Sequence, residues 1–253
     1  MNIKRPEFMV FGALIRSMNC KTIVEVGVEV GDACVALNHV AKKNNAKYFG
    51  YDMWDVHGLN SQYPQRGSKE YVESRIKDIG SDYTLTKINT IDNFDGFQES
   101  LKANCPNGID FAFIDACHSY LGIWNDFRAI YPLINPATGI IAFHDTQRID
   151  GCREFILDLR TKFYDGTYDV FDLPIGQGDW RAGVSFLVKR SFQNLKMPID
   201  EACGSVNTCA EIEKREEEWY ENETKAQPED ISDRPKILTE NLLRKGSGRK
   251  WRG

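Results

Sequence analysis

Glycine and acidic residues follow two apolar runs near the start of the chain, where a parallel sheet would bind a ligand. The first run ends in EVGVEVG, residues 25–31, and the second ends in Asp52. Ligands of open α/β sheets bind beyond the carboxyl ends of the strands. A glycine turn lets a ligand approach the backbone, and a carboxylate about 20 residues later can accept both hydroxyls of a ribose. The two features together predict a nucleoside site.

The residues of this turn also limit which nucleoside it suits. Dinucleotide-binding turns carry G-x-G-x-x-G, whereas this turn has an acid, Glu29, whose charge opposes a pyrophosphate. We therefore expect a cofactor without phosphates. Three alternatives remain open: an NAD-dependent oxidoreductase, a purely structural strand-to-helix turn, and a non-catalytic binding module that keeps the cofactor fold.

Two further carboxylates close later strands of the predicted sheet. Asp115 is the last acid of the run DFAFIDA, one residue before its end, and Asp145 ends the run GIIAFHD. Because these strands are expected to be neighbours, their carboxylates should meet at the carboxyl edge of the sheet. Two convergent carboxylates are costly unless a cation, a proton or a basic group compensates them. Mg²⁺ is the natural candidate, since one or two carboxylates, waters and substrate oxygens satisfy it.

The pattern between residues 22 and 190 predicts the elements that position these side chains. Short β-branched runs alternate with amphipathic stretches, which is typical of a mostly parallel sheet covered by helices on both faces. The last two runs are joined by a short loop and should pair antiparallel, because a parallel crossover needs about a dozen residues or more. The fold class is therefore α/β, doubly wound and Rossmann-like. The predicted strands cover residues 22–28, 47–53, 83–89, 110–116, 139–145, 167–174 and 183–190.

The chain divides into three parts on this interpretation. Residues 1–21 form an N-terminal helical segment rather than a signal peptide, because Arg16 and Asn19 interrupt its apolar stretch. Residues 22–190 form the cofactor-binding domain. Residues 191–253 form a C-terminal extension with an acidic helix and a basic tail. Such charge runs are either solvated or make the contacts of a homo-oligomer.

The composition excludes several classes of protein. With 42% hydrophobic and 27% charged residues, the chain is neither disordered nor collagen-like. No apolar run approaches the roughly 20 residues of a membrane span, and the net charge of −5 gives no overall attraction to nucleic acid or anionic lipid. The seven cysteines are scattered and never spaced C-x-x-C. We therefore expect a cytoplasmic protein with reduced thiols, and neither a zinc cage nor a disulfide framework.

Taken together, the motifs between residues 22 and 190 resemble the class I S-adenosylmethionine-dependent methyltransferases. EVGVEVG is similar to their first motif and Asp52 to their ribose-binding acid. The resemblance implies a seven-stranded sheet of order 3-2-1-4-5-7-6, with strand seven antiparallel. It also implies a set of cofactor-binding residues: Glu25, Gly27, Val28, Glu29, Gly31, Asp52, Met53, Asn89, Thr90 and Asp115.

A longer segment, residues 114–146, narrows the resemblance. It reads IDACHSYLGIWNDFRAIYPLINPATGIIAFHDT and is similar to the D-x-x-H-S-Y…D-L…L-x-P-G-G…H-D signature of macrocin O-methyltransferase-like and cephalosporin hydroxylase-like proteins. This subgroup implies metal-dependent methylation of a hydroxyl on a small molecule, such as a sugar or polyhydroxylated compound. The loops at the same edge of the sheet offer candidate substrate contacts: Trp54, Gln147, Arg148, Trp180 and Arg181.

The same resemblance suggests roles for two histidines. His118 stands where catechol-type members place a catalytic lysine, and an imidazole with a pKa of about 6.5 can remove a proton from a hydroxyl. The remaining metal ligand of the family corresponds to His144 or Thr146, so the metal set is Asp115, His144 and Asp145. Because imidazole is a poorer ligand for Mg²⁺ than a carboxylate is, Mn²⁺ or another divalent ion remains an alternative. The other interpretation is that both histidines have structural roles: His118 would cap the next helix, and His144 would be buried at the end of its strand.

Overall fold

The computed structural model describes residues 6–54, 68–136, 139–173 and 183–190. Its strands form one seven-stranded sheet in the order β3-β2-β1-β4-β5-β7-β6. Strands β1 to β5 pair parallel, and β7 runs antiparallel to both β5 and β6. The predicted strand order and the antiparallel β7 are confirmed. The strands are β1 Thr22–Val26, β2 Lys47–Asp52, β3 Asp82–Lys87, β4 Phe111–Ile114, β5 Ile140–His144, β6 Tyr168–Leu173 and β7 Val184–Lys189.

Within the described residues, six α-helices connect or flank the strands. Three of them begin at a Ser or Asn whose side chain accepts a backbone N–H of the first turn: Ser68 of α3, Asn93 of α4 and Ser119 of α5. Such caps satisfy amides that have no partner within the helix. The helices are α1 Pro6–Ser17, α2 Asp32–Asn44, α3 Lys69–Ile76, α4 Phe94–Asn104, α5 Tyr120–Ile130 and α6 Asp150–Thr161.

The sheet has a hydrophobic cluster on each face. Alternation along β1 places Ile23 in one cluster and Val24 in the other, as the two-residue period of a strand requires. Residues of α1, α2 and α3 cover the first face, whereas residues of α4, α5 and α6 cover the second. The central strand β4, with the sequence FAFI, is buried along its whole length. This burial on both faces makes the sheet a rigid support for the residues that follow each strand.

Helix α1 packs directly on the sheet. The ring of Phe11 is fully buried and lies 4.9 Å from that of Phe113 and 5.4 Å from that of Phe111, between centroids. In the described residues, no helix has the length and apolar character needed to cross a bilayer. The acidic helix and basic tail expected in residues 191–253 lie outside the described residues.

Candidate active site

The turn after β1 is held against the end of β4. Gly27 has φ of 92°, and a Cβ atom there would lie 2.2 Å from the carbonyl oxygen of Asp115. Only glycine combines this left-handed conformation with such a close approach. The amide of Gly27 donates to the carbonyl of Tyr51, so the turn is also tied to the end of β2. β1 consequently ends at Val26, two residues before the predicted end.

Asp52 holds the same turn from the side of β2. One oxygen of its carboxylate accepts the amide of Glu29 at 2.8 Å, and the other accepts the amide of Trp54 at 2.6 Å. Both donor residues have left-handed backbones. Gly31, with φ of 82°, then begins α2. The predicted ribose acid and the predicted glycine turn therefore lie side by side.

Beneath the turn, Glu25 is buried. The hydroxyl of Tyr48 donates to its Oε2, while its Oε1 has no hydrogen-bond partner among the described residues. Burial, opposed by the Tyr48 hydrogen bond and reinforced by the charges of Asp115 and Asp52, raises the pKa of Glu25 well above its usual range. A buried acceptor of this kind suits a cationic or N–H donor group at the turn.

The next part of the edge combines apolar and polar groups. Asp52 and Lys87 are partners in the β2–β3 pair, so the residues that follow them are neighbours. Met53 and Ile91 are exposed there, at 44% and 37%. The side chain of Asn89 is occupied in shaping the turn, because its Oδ1 accepts the amide of Ile91. Exposed apolar side chains at this edge of the sheet suit a flat, weakly polar ring.

Acids and histidines converge where β4 and β5 end. His118 Nε2 lies 3.2 Å from Asp115 Oδ1 and 3.5 Å from Asp145 Oδ2. His144 Nδ1 lies 3.1 Å and 3.6 Å from the same two oxygens. We call these four residues the acid–histidine cluster. The expected meeting of Asp115 and Asp145 is therefore observed, together with both histidines.

The backbone of Asp145 is left-handed, with φ of 55°. This conformation is costly for a residue other than glycine, and such residues concentrate at functional sites. The following Thr146 is buried and hydrogen-bonded to the Ser185 hydroxyl of β7, across 2.9 Å. The contact with β7 occupies Thr146, which leaves His144 as the side chain that accompanies the two acids.

The charges within the acid–histidine cluster compensate one another. Burial opposes ionisation of Asp115, but His118 and His144 outweigh it and lower the pKa of this carboxyl. Contact with Asp115 raises the pKa of His118 against the effect of burial. Burial disfavours the charged form of His144 as well, yet Asp115 and Asp145 raise its pKa to about 10. A protonated His144 therefore supplies the positive charge that two close carboxylates require.

The cluster also has the geometry of a divalent-ion site. One ligand atom from each of Asp115, His144 and Asp145 lies within 4.8 Å of the other two. Although His144 Nδ1 is buried and 3.1 Å from Asp115 Oδ1, it makes no aligned hydrogen bond. Two adjacent ligands, each about 2.1 Å from an octahedral ion, are roughly 3 Å apart, which is close to the separation of these two atoms. This donor set of two carboxylates and one imidazole fits Mn²⁺ or a similar ion better than Mg²⁺.

The structure also locates other residues that the sequence predicted for the site. Ser119, not His118, caps α5, which removes the capping explanation for His118. Trp54 differs from the expected substrate wall, because its side chain is 4% exposed and packs in a hydrophobic cluster. Gln147 and Arg148 are exposed beyond β5. Val28 is buried in the core, and Trp180 and Arg181 lie outside the described residues.

Two buried acids near the site were not expected from the sequence. Glu7 of α1 lies 4.0 Å from His144 Nε2. Asp126 of α5 is fully buried beside Thr90, and burial raises its pKa to about 7. The available signal was a single acid on an otherwise apolar helix face, at Glu7 beside Phe8, Phe11 and Ile15. Only the packing of α1 shows which site that face meets.

Comparison with known proteins agrees with this geometry. Residues 24–146 match the sequence model of a methyltransferase domain. These residues include the glycine turn, Asp52 and the whole acid–histidine cluster, within the strand order described above. The chain contains a class I methyltransferase domain. S-adenosylmethionine is the methyl donor of this class, and the expected resemblance is confirmed.

Solved structures share the fold of this methyltransferase domain at low sequence identity. TomG, an O-methyltransferase of tomaymycin synthesis from Streptomyces achromogenes in complex with S-adenosylmethionine, is 13% identical, with 74% of this chain and 80% of that chain covered and a TM-score of 0.55. An O-methyltransferase from Bacillus cereus is 15% identical, with 73% and 81% covered and a TM-score of 0.55. CalS11, a TDP-rhamnose 3'-O-methyltransferase of calicheamicin biosynthesis, is 16% identical, with 72% and 78% covered and a TM-score of 0.51. A search of curated protein sequences finds no match.

Proposed function

We propose that this methyltransferase transfers a methyl group from S-adenosylmethionine to a hydroxyl of a small molecule, a sugar or polyhydroxylated compound, with the help of a divalent ion. The observation that carries the proposal is the acid–histidine cluster. It follows β4 and β5 and touches the glycine turn through the backbone of Asp115. Donor and acceptor would therefore meet at one edge of the sheet.

The residues around the turn suit each part of the donor. The carboxylate of Asp52 would accept the ribose hydroxyls with the lone pairs that its two backbone bonds leave free. The turn from Gly27 to Gly31 would pack against the methionine part, and the unpaired Oε1 of Glu25 would accept from its ammonium group. Met53 and Ile91 would flank the adenine, with Asn89 and Thr90 nearby.

The acid–histidine cluster would bind and activate the acceptor. Asp115, His144 and Asp145 would hold the divalent ion, which when bound polarises an acceptor hydroxyl and offsets the negative charge that raises the pKa of His118. His118 would then take the hydroxyl proton at Nε2. The acceptor oxygen forms the bond to the methyl carbon as the carbon–sulfur bond breaks, and the electron pair stays on sulfur. The products are a methyl ether, S-adenosylhomocysteine and a protonated His118.

The acceptor class rests on chemistry and on analogy. A hydroxyl needs the base and the cation that the cluster offers, whereas a more nucleophilic amine or thiol needs less help. CalS11, a fold neighbour, is named for methylation of a rhamnose hydroxyl. The exposed polar residues Gln147 and Arg148 beyond β5 are compatible with a polyhydroxylated acceptor. Sugars and glycosides are therefore the first acceptors to test.

The test measures release of S-adenosylhomocysteine from a panel of sugars, glycosides and catechols, with and without Mn²⁺ or Mg²⁺. We expect turnover of a hydroxyl acceptor that rises with the ion and is lost in Asp145→Asn. An amine acceptor, or full activity in EDTA, would overturn the assignment. Thermal stabilisation by NAD in place of S-adenosylmethionine would favour the oxidoreductase, and donor binding without turnover of any acceptor would favour the non-catalytic module.

A further inference from the structure

A carboxylate from the N-terminal helix reaches the acid–histidine cluster. On α1 the buried face consists of Glu7, Phe8, Phe11, Gly12 and Ile15. Glu7 is its only charged member, and its side chain is 10% exposed. Glu7 Oε1 lies 4.0 Å from Nε2 of His144. In the described part of the chain, this is the ion pair that Glu7 makes.

The position of Glu7 follows from how α1 is packed. Phe11, one turn further along α1, packs against Phe113 of β4 with the rings tilted by 57° and their centroids 4.9 Å apart. The ring of Phe113 in turn contacts the imidazole of His144 edge-on, at 5.8 Å between centroids. These aromatic contacts place the start of α1 over His144. A carboxylate at this position gains nothing for packing, because a buried charge costs free energy unless a partner compensates it.

The imidazole of His144 lies between two sets of carboxylates. Its Nδ1 faces Asp115 and Asp145, at 3.1 Å and 3.6 Å, whereas its Nε2 faces Glu7. Because the two ring nitrogens point in different directions, Glu7 cannot join Nδ1 on the same ion. It can instead fix the orientation and tautomer of the ring, as carboxylates do for many metal-binding histidines.

We infer that Glu7 is a positioning residue for the divalent-ion site. Its carboxylate would accept the Nε2–H of His144 and thereby keep the Nδ1 lone pair directed at the space between Asp115 and Asp145. The 4.0 Å separation is about 1 Å longer than a hydrogen bond, so the carboxylate and the imidazole must approach by about that distance for the bond to form. The inference rests on the proposed function, since it assigns a role toward the same ion.

This role extends the functional site beyond the matched methyltransferase segment. The family model covers residues 24–146, whereas Glu7 lies before it in α1. The helix would therefore do more than cover the sheet: its hydrophobic residues hold it in place and its one buried acid acts on the site.

Replacing Glu7 by leucine distinguishes a positioning role from a packing role. The positioning role predicts weaker Mn²⁺ binding without a loss of melting temperature, whereas a packing role predicts a loss of melting temperature. Leucine on the apolar face of α1 should leave the melting temperature unchanged or raise it. Loss of the carboxylate should weaken Mn²⁺ binding about 10- to 100-fold, the usual effect of removing such a partner. Mn²⁺ affinity is read from the electron paramagnetic resonance signal of the free ion. Glu7→Gln, which keeps an acceptor oxygen, should recover most of the affinity.

Controls make the outcomes distinct. Arg16→Leu makes a charged-to-leucine change on the exposed side of α1 and should keep wild-type Mn²⁺ affinity. S-adenosylhomocysteine affinity should be unchanged in Glu7→Leu.

Three outcomes would contradict the inference. Wild-type Mn²⁺ affinity in Glu7→Leu, with a loss in Asp145→Asn, would overturn the role of Glu7 alone. A parallel loss of melting temperature and S-adenosylhomocysteine affinity in Glu7→Leu would also overturn it, as a folding effect. No Mn²⁺ binding by the wild type would overturn this inference and the ion-assisted function together.

Discussion

The carboxylate of Asp52 accepts the backbone amide of Glu29 across 2.8 Å, so the acid that ends β2 holds the turn that follows β1. One residue thus links the two predicted cofactor motifs, which are separated in the sequence. Its second oxygen accepts the amide of Trp54 and fixes the start of the next loop. The predicted ribose acid therefore also shapes the site it belongs to.

Replacing Asp52 by alanine should abolish stabilisation by S-adenosylmethionine. The substitution removes the proposed ribose acceptor and two hydrogen bonds to a charged group, each worth about 1.5–3 kcal/mol. We expect a lower melting temperature that no longer rises with the cofactor in a thermal shift assay. Asp82→Ala, an exposed acid at the opposite end of the paired strand β3, should respond to the cofactor like the wild type. An unchanged response in Asp52→Ala would contradict this assignment.

Two glycine-to-alanine substitutions should differ in their effect on stability. Gly27 and Gly166 both have left-handed backbones, at φ of 92° and 79°. A Cβ at Gly166 meets nothing within 4 Å, whereas one at Gly27 would lie 2.2 Å from the Asp115 carbonyl. Gly166→Ala should cost about 1–2 kcal/mol, from the backbone conformation alone. Gly27→Ala should lower the free energy of unfolding, measured in urea, by several kcal/mol. Equal losses in the two variants would show that the chain relieves the close approach of residue 27 to the Asp115 carbonyl.

Replacing His118 by glutamine should impair catalysis without removing the ion. His118 is 37% exposed and is outside the three-residue ion site, so glutamine leaves the three ligands in place but cannot take a proton. We expect kcat to fall about 10²- to 10⁴-fold while Mn²⁺ affinity is retained. His39→Gln, on α2, serves as the matched control. A wild-type kcat in His118→Gln would assign the base to another group.

Asp126 should make stability depend on pH. Burial raises its pKa to about 7 in the folded protein, against about 3.9 when unfolded. The folded state therefore holds the proton at higher pH than the unfolded state does, and this carboxyl destabilises the fold increasingly as the pH rises from about 4 to about 7. Relative to wild type, Asp126→Asn should gain roughly 2–3 kcal/mol in unfolding free energy between pH 5 and pH 8. A difference that does not change with pH would rule out this titration.

Much of the fold follows from local patterns in the sequence. Short β-branched runs and the short final connection determine the strand directions, because a brief loop can join only antiparallel neighbours. Once β4 and β5 are adjacent and parallel, Asp115 and Asp145 must come together, whatever the details of packing. The predicted strand ends were less accurate than the strand directions, since β1 and β3 each end two residues before the predicted boundary. β1 ends early because Gly27, the residue after it, has a left-handed backbone that does not continue a strand.

Patterns in the amino-acid sequence were sufficient to predict the sheet, the glycine turn and the meeting of two acids, because each depends on residues close together along the chain or on strand order. Three features are visible only in the folded chain: Trp54 is buried, Asp145 has a left-handed backbone, and Glu7 faces His144. Each of these depends on contacts between distant elements. A strained backbone or a buried charge is stable only when the surrounding packing compensates its cost, and no local pattern records that packing.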